Sequence, residues 1–114
     1  RWPTRDELDR VAAASPAAPS ASPRPVAVRS FDHHSGVASS AALAAAGFRD
    51  DSPDPEGGVI VREAGPGGPR ATGLLLESAW KRLYAAIPEP TPTQAREQVR
   101  AATQAWACFA PRGE

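Results

Sequence analysis

Asp32, His33 and His34 stand side by side in the chain, and an acidic loop carrying Asp50, Asp51, Asp54 and Glu56 follows. Mixed imidazole and carboxylate ligands suit zinc or manganese, so a small metal site built from these residues is one chemistry the sequence allows. Adjacent histidines make a poor ligand pair, however, because alternate residues of a strand are what place two imidazoles on one face. The plainer reading has the loop acids solvated, Asp32 capping a turn and His34 packing structurally. Cys108 is the single cysteine, which excludes an internal disulfide and any C-x-x-C zinc spacing. With no base near it, Cys108 reads as a buried structural thiol. The Gly65 to Gly68 run is no phosphate loop, since Pro66 and Pro69 remove amides that such a loop needs; it reads as a turn. No Ser-His-Asp arrangement can be defended from spacing.

Positioning these residues requires a set of short elements. Thr4-Arg5-Asp6-Glu7 is a capping box, which predicts a helix to about Ala14 with Leu8, Val11 and Ala12 on one face. Ser15 to Pro23 is rich in Pro, Ala and Ser and reads as a flexible, solvated insertion. Pro25 to Phe31 alternates and is β-rich, a strand that delivers Asp32, His33 and His34 at its C-terminal end. Ser35 then reads as the cap of a helix through the Ala-rich stretch to Ala46, with Gly47 as a left-handed C′ residue. Val59 to Glu63 and Thr72 to Leu76 predict a hairpin. Trp80, Leu83, Tyr84 and Ile87 fall at helical spacing before Pro88 and Pro90 stop the helix. Thr91-Pro92-Thr93-Gln94 is a second capping box, and the helix it opens should run to about Cys108 and present Ala95, Val99, Ala102 and Trp106. Trp80 and Trp106 both read as core residues, and Glu77 reads as a first-turn carboxylate that favours the helix dipole.

Composition narrows the function classes. Lys+Arg and Asp+Glu balance at 13 each and no basic stripe exists, so a nucleic-acid partner is not expected. No apolar run approaches the ~20 residues that cross a bilayer, and no signal pattern opens the chain, so neither membrane nor export is expected; the lone cysteine fits a reducing cytoplasm. The 114 residues can form one small domain, but Ala supplies much of the apolar content, and Pro, at 13 residues, is more than twice its usual frequency. A core built on Ala is weak. The chain has no Met at any position, which is expected of an internal piece rather than a whole translation product.

Motif order carries a resemblance. Asp32-His33-His34-Ser35-Gly36-Val37-Ala38-Ser39-Ser40-Ala41-Ala42-Leu43 resembles D-G-H-S-x-x-V-N-S-x-A-L of the metal-dependent amidohydrolase superfamily, in the branch of long-chain N-substituted formamide deformylases. Gly57-Gly58-Val59-Ile60-Val61-Arg62 resembles that branch's P-x-G-G-x-I-x-R, and Thr72-Gly73-Leu74-Leu75-Leu76-Glu77 its P-T-G-x-L-x-E. Pro3 to Asp9 is similar to P-T-R-x-x-L-D, and Arg24-Pro25-Val26 to an R-P-V strand start. Two departures stand out: His33 occupies the usual Gly position and Ser39 the usual Asn position, which bears on any carry-over of substrate contacts.

The resemblance implies an α/β segment of a (β/α)8-barrel catalytic domain spanning residues 1–114, from a bacterial cytoplasmic hydrolase acting on an amide or formamide C–N bond. It implies a divalent metal, zinc foremost, in the full-length enzyme, where the metal would activate water. The family's H-x-H pair, lysine, later histidines and aspartate do not map here, so no catalytic residue and no metal ligand is assigned to this stretch. Asp32 and His34 are assigned by match of position to the substrate cleft. The expected partners are the rest of the barrel and a small-molecule amide, with a homo-oligomer allowed for the whole enzyme. The competing expectation is a free-standing α/β interaction protein or degenerate remnant; a third is a subunit that complements separately encoded pieces. Cooperative melting of the isolated chain separates a true module from a barrel piece.

Overall fold

The structure, a computed structural model, describes residues 1–14 and 23–109. The expected flexible insertion therefore lies, but for Pro23, outside the described residues. The elements run α1 (Arg5–Ala14), β1 (Ala27–Arg29), β2 (Ser35–Ala38), α2 (Ser40–Ala45), β3 (Gly58–Gly65), β4 (Gly68–Glu77), α3 (Ser78–Ala85) and α4 (Pro92–Phe109). The strands form one sheet in the order β1-β2-β4-β3, and every pair is antiparallel. Barrel strands are parallel. These four are accordingly an α/β unit of their own, not an arc of a barrel wall.

Both capping boxes form as read. Thr4 Oγ1 accepts from the Glu7 amide at 3.2 Å while Glu7 accepts from the Thr4 amide at 2.7 Å. Thr91 and Gln94 exchange the equivalent bonds at 3.1 and 2.9 Å. The hairpin also forms, longer than expected: Gly65 pairs with Gly68 across a two-residue loop, Pro66 and Gly67. Gly47 takes φ 77, the left-handed value expected after α2.

Ser35 does not open a helix. Residues Ser35–Ala38 are a strand buried on both faces, and α2 begins only at Ser40, capped by Ser39, whose side chain accepts from the Ala42 amide at 3.2 Å. Helix propensity of the Ala-rich run loses here to long-range pairing, since β2 is hydrogen-bonded to β1 on one edge and to β4 on the other. Ser39 fixes the changeover: its hydroxyl accepts from Val26 N at 2.9 Å and its own amide donates to Val26 O at 2.9 Å.

The core lies between the sheet and the helices α2 and α3. Ala38, Ala42, Ala71 and Ala79 share it with Leu43, Phe48, Ile60, Leu75, Trp80 and Leu83. On β4 the buried positions Ala71, Gly73 and Leu75 alternate with half-covered ones, the period of a strand. Trp80 is 2% exposed and is the largest contributor, as expected. Trp106 is not: it is 74% exposed, Val99 is 67% exposed, and Cys108 is exposed rather than buried. The apolar stripe of α4 exists as read, but α4 makes no extensive contact with any other described element, and Val99 and Trp106 stay exposed.

Gly36 admits the Trp80 ring against the β2 backbone, where a Cβ would stand 2.5 Å from Trp80 Cζ3. A planar ring that is nine-tenths enclosed cannot step aside cheaply. Gly36→Ala is expected to destabilise the protein by about 2 kcal/mol, the usual cost of overpacking, which lowers the urea midpoint by about 1 M at an m-value near 2 kcal/mol/M. An unchanged midpoint would show that the ring has room to move.

Candidate functional site

The Asp32 to His34 segment is the turn of the β1–β2 hairpin. Ser30 N donates to Ser35 O at 2.9 Å, His33 N to Ser30 O at 3.1 Å, and His34 N to Asp32 Oδ1 at 3.0 Å. Asp32 thus closes an Asx turn, and the His34 amide, with the Ser30 hydroxyl second, holds its carboxyl below the usual carboxylate range. His33 takes φ 66, the left-handed region. A glycine suits that position, which gives the usual Gly of the resembling motif a backbone reason and removes the need for a substrate contact there.

Register then brings β4 to the same place. Ser35 pairs with Leu76, so the next residues along, His34 and Glu77, meet beyond the end of the ladder. Glu77 N donates to His34 O at 2.7 Å, and the His34 ring Nδ1 lies 3.0 Å from Glu77 Oε2. Both side chains are more than half exposed, at 60% and 54%. Glu77 is the cap residue of α3 yet makes no side-chain cap bond, and its φ of 52 and ψ of −119 are strained for any residue with a Cβ. It stands at the N-cap, one residue before the first turn it was expected in, and its carboxylate is bonded to the His34 ring. Such strain costs on the order of 1–3 kcal/mol and persists only where the surroundings impose it.

A groove of about 440 Å³ opens beside this turn, lined by Arg29, His33, Trp80, Lys81, Tyr84 and Ala85. The Arg29 guanidinium lies over the Tyr84 ring at 5.2 Å, and Tyr84 tilts against Trp80 with centroids 6.2 Å apart. One side of the turn is therefore cationic and aromatic.

The acidic loop is used elsewhere. Asp50 accepts from Arg5 at 2.9 Å and from Ala71 N at 3.0 Å; Asp54 accepts from Arg62 at 2.8 Å and from Ile60 N at 3.2 Å. Arg62 also donates to the carbonyls of Asp50 and Ser52, which folds the loop onto β3. Among the described residues, no group of three or more His, Cys, Asp or Glu is arranged to hold a metal ion. Among the described residues the mixed site that the sequence allowed is not formed: Asp50, Asp51 and Asp54 are paired with arginines and Asp32 with the His34 amide.

Sequence reading missed the polar tie between α1 and the sheet. Arg5 Nε donates to Ser40 Oγ at 2.6 Å, and Ser40 donates in turn to Asp9, through Oγ at 2.6 Å and through its amide at 2.8 Å. Arg5 and Asp9 stand four apart on one face of α1, so the P-T-R-x-x-L-D spacing was the signal. Gly73, at φ 96, lets this helix in: a Cβ there would lie 3.0 Å from Arg5 Cβ. Arg70 adds a fork to Asp6 at 2.6 and 3.0 Å.

Asp6, Asp50 and Asp54 are all held below the ordinary carboxylate range: Arg70 is the main cause for Asp6, the Ala71 amide followed by Arg5 for Asp50, and Arg62 followed by the Ile60 amide for Asp54. Depressed folded values mean stabilisation present above the unfolded pKa of about 3.9 and lost as pH falls through the lower folded ones. Asp50→Asn is expected to lower stability by about 1 kcal/mol at neutral pH, discounted for exposure, and by progressively less as pH falls below the unfolded value of about 3.9; a series of urea titrations from neutral to acid pH checks this. His33→Gly is expected to raise stability by about 1 kcal/mol through release of the left-handed Cβ, read as a rise in Tm of a few degrees.

Comparison with known proteins places these motifs. A family model described as the amidohydrolase family matches residues 1–110. YtcJ of Bacillus subtilis (strain 168), a protein named provisionally as an amidohydrolase, is 40% identical over 79 residues, which cover 69% of this chain. That match spans 14% of YtcJ's length, so the chain corresponds to a small part of its curated relative. No solved structure matches. With its whole described fold inside the matched range, the chain belongs to the amidohydrolase family.

Proposed function

We propose that the chain is a segment of a metal-dependent hydrolase of the formamide deformylase-like branch, cleaving a non-peptide C–N bond in a small-molecule amide or formamide. Residues 1–114 then form part of its catalytic domain, with 15–23 as a flexible insertion, mounted on a (β/α)8 barrel as a substrate-proximal insert. Asp32 and His34 line the cleft, Asp32 by shaping the turn and His34 by its ring. The rest of the barrel is the main partner; nucleic acid and membrane are not, and no described helix is long and apolar enough to cross a membrane. A bacterial cytoplasm is the proposed setting, and a homo-oligomer is compatible with it.

The observation that carries the reading is the His34–Glu77 pair, exposed and strained, in a chain of this family. Strained backbone and exposed, oriented imidazole have little to offer stability and are typical of sites that handle a ligand. Family members usually use a divalent metal. The described residues do not fit one, so its ligands are assigned to chain outside this segment, and the segment alone is expected to be inactive.

The test uses the whole protein that contains this segment. Release of formate from N-butylformamide, lost on chelation and restored by zinc, is the expected result; a metal-free protein inert to amides would sink the reading. His34→Ala is expected to lower kcat/KM by about tenfold, the worth of one hydrogen bond with its desolvation cost, while kcat and KM both unchanged would remove His34 from the cleft. The interaction-protein reading draws on the uncovered apolar face of α4, with Val99 and Trp106. Cooperative melting of the isolated chain with α4 protected would favour it.

A further inference from the structure

We infer that Glu77 is a positioning residue that holds His34 in its Nδ1–H tautomer, leaving the Nε2 lone pair as the acceptor for the N–H of an amide substrate. The inference rests on the proposed place of His34 in the cleft. It starts from an asymmetry of donors. An ionised carboxylate only accepts, so the 3.0 Å contact between Nδ1 and Glu77 Oε2 puts the proton of a neutral ring on Nδ1. Nε2 is then unprotonated, and among the described residues it has no hydrogen-bond partner.

The pair is joined at two points. The Glu77 amide donates to the His34 carbonyl at 2.7 Å, next to the Ser35–Leu76 pair that anchors both strands, so the carboxylate and the ring are held at a set spacing. Asp32 occupies the His34 amide and so leaves the ring to Glu77 alone. The identity of residue 77 makes the same point. A backbone at φ 52 favours glycine, and a helix cap favours Ser, Thr, Asp, Asn or Gly; Glu satisfies neither preference and caps nothing. What Glu adds at this position is a carboxylate within reach of the ring.

A tautomer fixed in this way has a chemical consequence. Nε2 as an acceptor favours ligands that present an N–H and gives nothing to those that present an ether or ester oxygen. His34 then acts as a specificity group for amides over esters of the same shape.

The experiment takes the whole protein, labelled with 15N-histidine, at a pH where the ring is neutral. The His34 ring shifts are expected to show Nδ1 protonated and Nε2 bare, and Glu77→Gly is expected to abolish that preference in favour of the Nε2–H form usual for a free side chain. Glycine suits the backbone at 77, so the variant folds while losing only the carboxylate. In kinetics, Glu77→Gly is expected to lower kcat/KM for N-butylformamide about tenfold and to leave butyl formate nearly unaffected, the loss of one hydrogen bond. A native Nε2–H ring, or a ring unchanged in Glu77→Gly, overturns the inference, and the cleft reading survives if His34→Ala still loses activity. Native Nδ1–H together with full activity of His34→Ala overturns the cleft reading and the acceptor role with it.

Discussion

A four-residue strand, Ser35–Ala38, carries the arrangement of everything else. It is buried on both faces and hydrogen-bonded on both edges, so its neighbours must take antiparallel places on either side of it. Its side chains are small, which lets the helices approach closely; the Trp80 ring lies directly on Gly36. Each end of the strand is pinned by polar bonds. Ser39 ties the C-terminal end to Val26, and His34 ties the N-terminal end to Glu77. A slip of one residue would exchange the two faces of the strand, move Gly36 from under the Trp80 ring and separate His34 from Glu77, so the packing of the core and the geometry of the candidate site are one constraint.

The core itself is modest. Alanine buries little area, and at roughly 25 cal/mol per Å² each core alanine contributes only a fraction of what Trp80 does. Polar ties supplement it. Arg5, Asp9, Ser40 and Asp50 connect α1, the start of α2, the acidic loop and β4 in one network, and Arg5 is largely enclosed there. An enclosed arginine with partners on several elements specifies how those elements meet, which surface ion pairs such as Arg49–Asp51 do not. Asp50, which looked like a metal ligand in the sequence, is one anchor of this network.

The His34–Glu77 pair differs from that network in kind. Its members are exposed, its backbone is strained, and it adds little to cohesion. The α4 helix is a second departure from economy, since it leaves Val99 and Trp106 to solvent. Both are intelligible in a chain that matches a seventh of its relative's length: surfaces that do nothing for this unit alone can meet a ligand or further protein.

By itself the sequence determined what is local. Capping boxes at Thr4 and Thr91, the hairpin around Pro66 and Gly67, the left-handed Gly47 and the apolar spacing of Trp80 and Leu83 depend on bonds a few residues apart, and neighbouring side chains are enough to specify them. Motif order was enough to reach the family. Only the tertiary structure decided the fate of Ser35–Ala38, because its β4 partners, Leu74 to Leu76, are far away in the chain and Gly, Val and Ala have no local preference strong enough to announce them. It also decided that Trp106 and Cys108 stay outside, that Asp50 and Asp54 serve arginines, and that His34 faces Glu77. An amphipathic stripe or a carboxylate reveals what a residue can do; which partner it receives is set by register and packing, and those are properties of the folded chain.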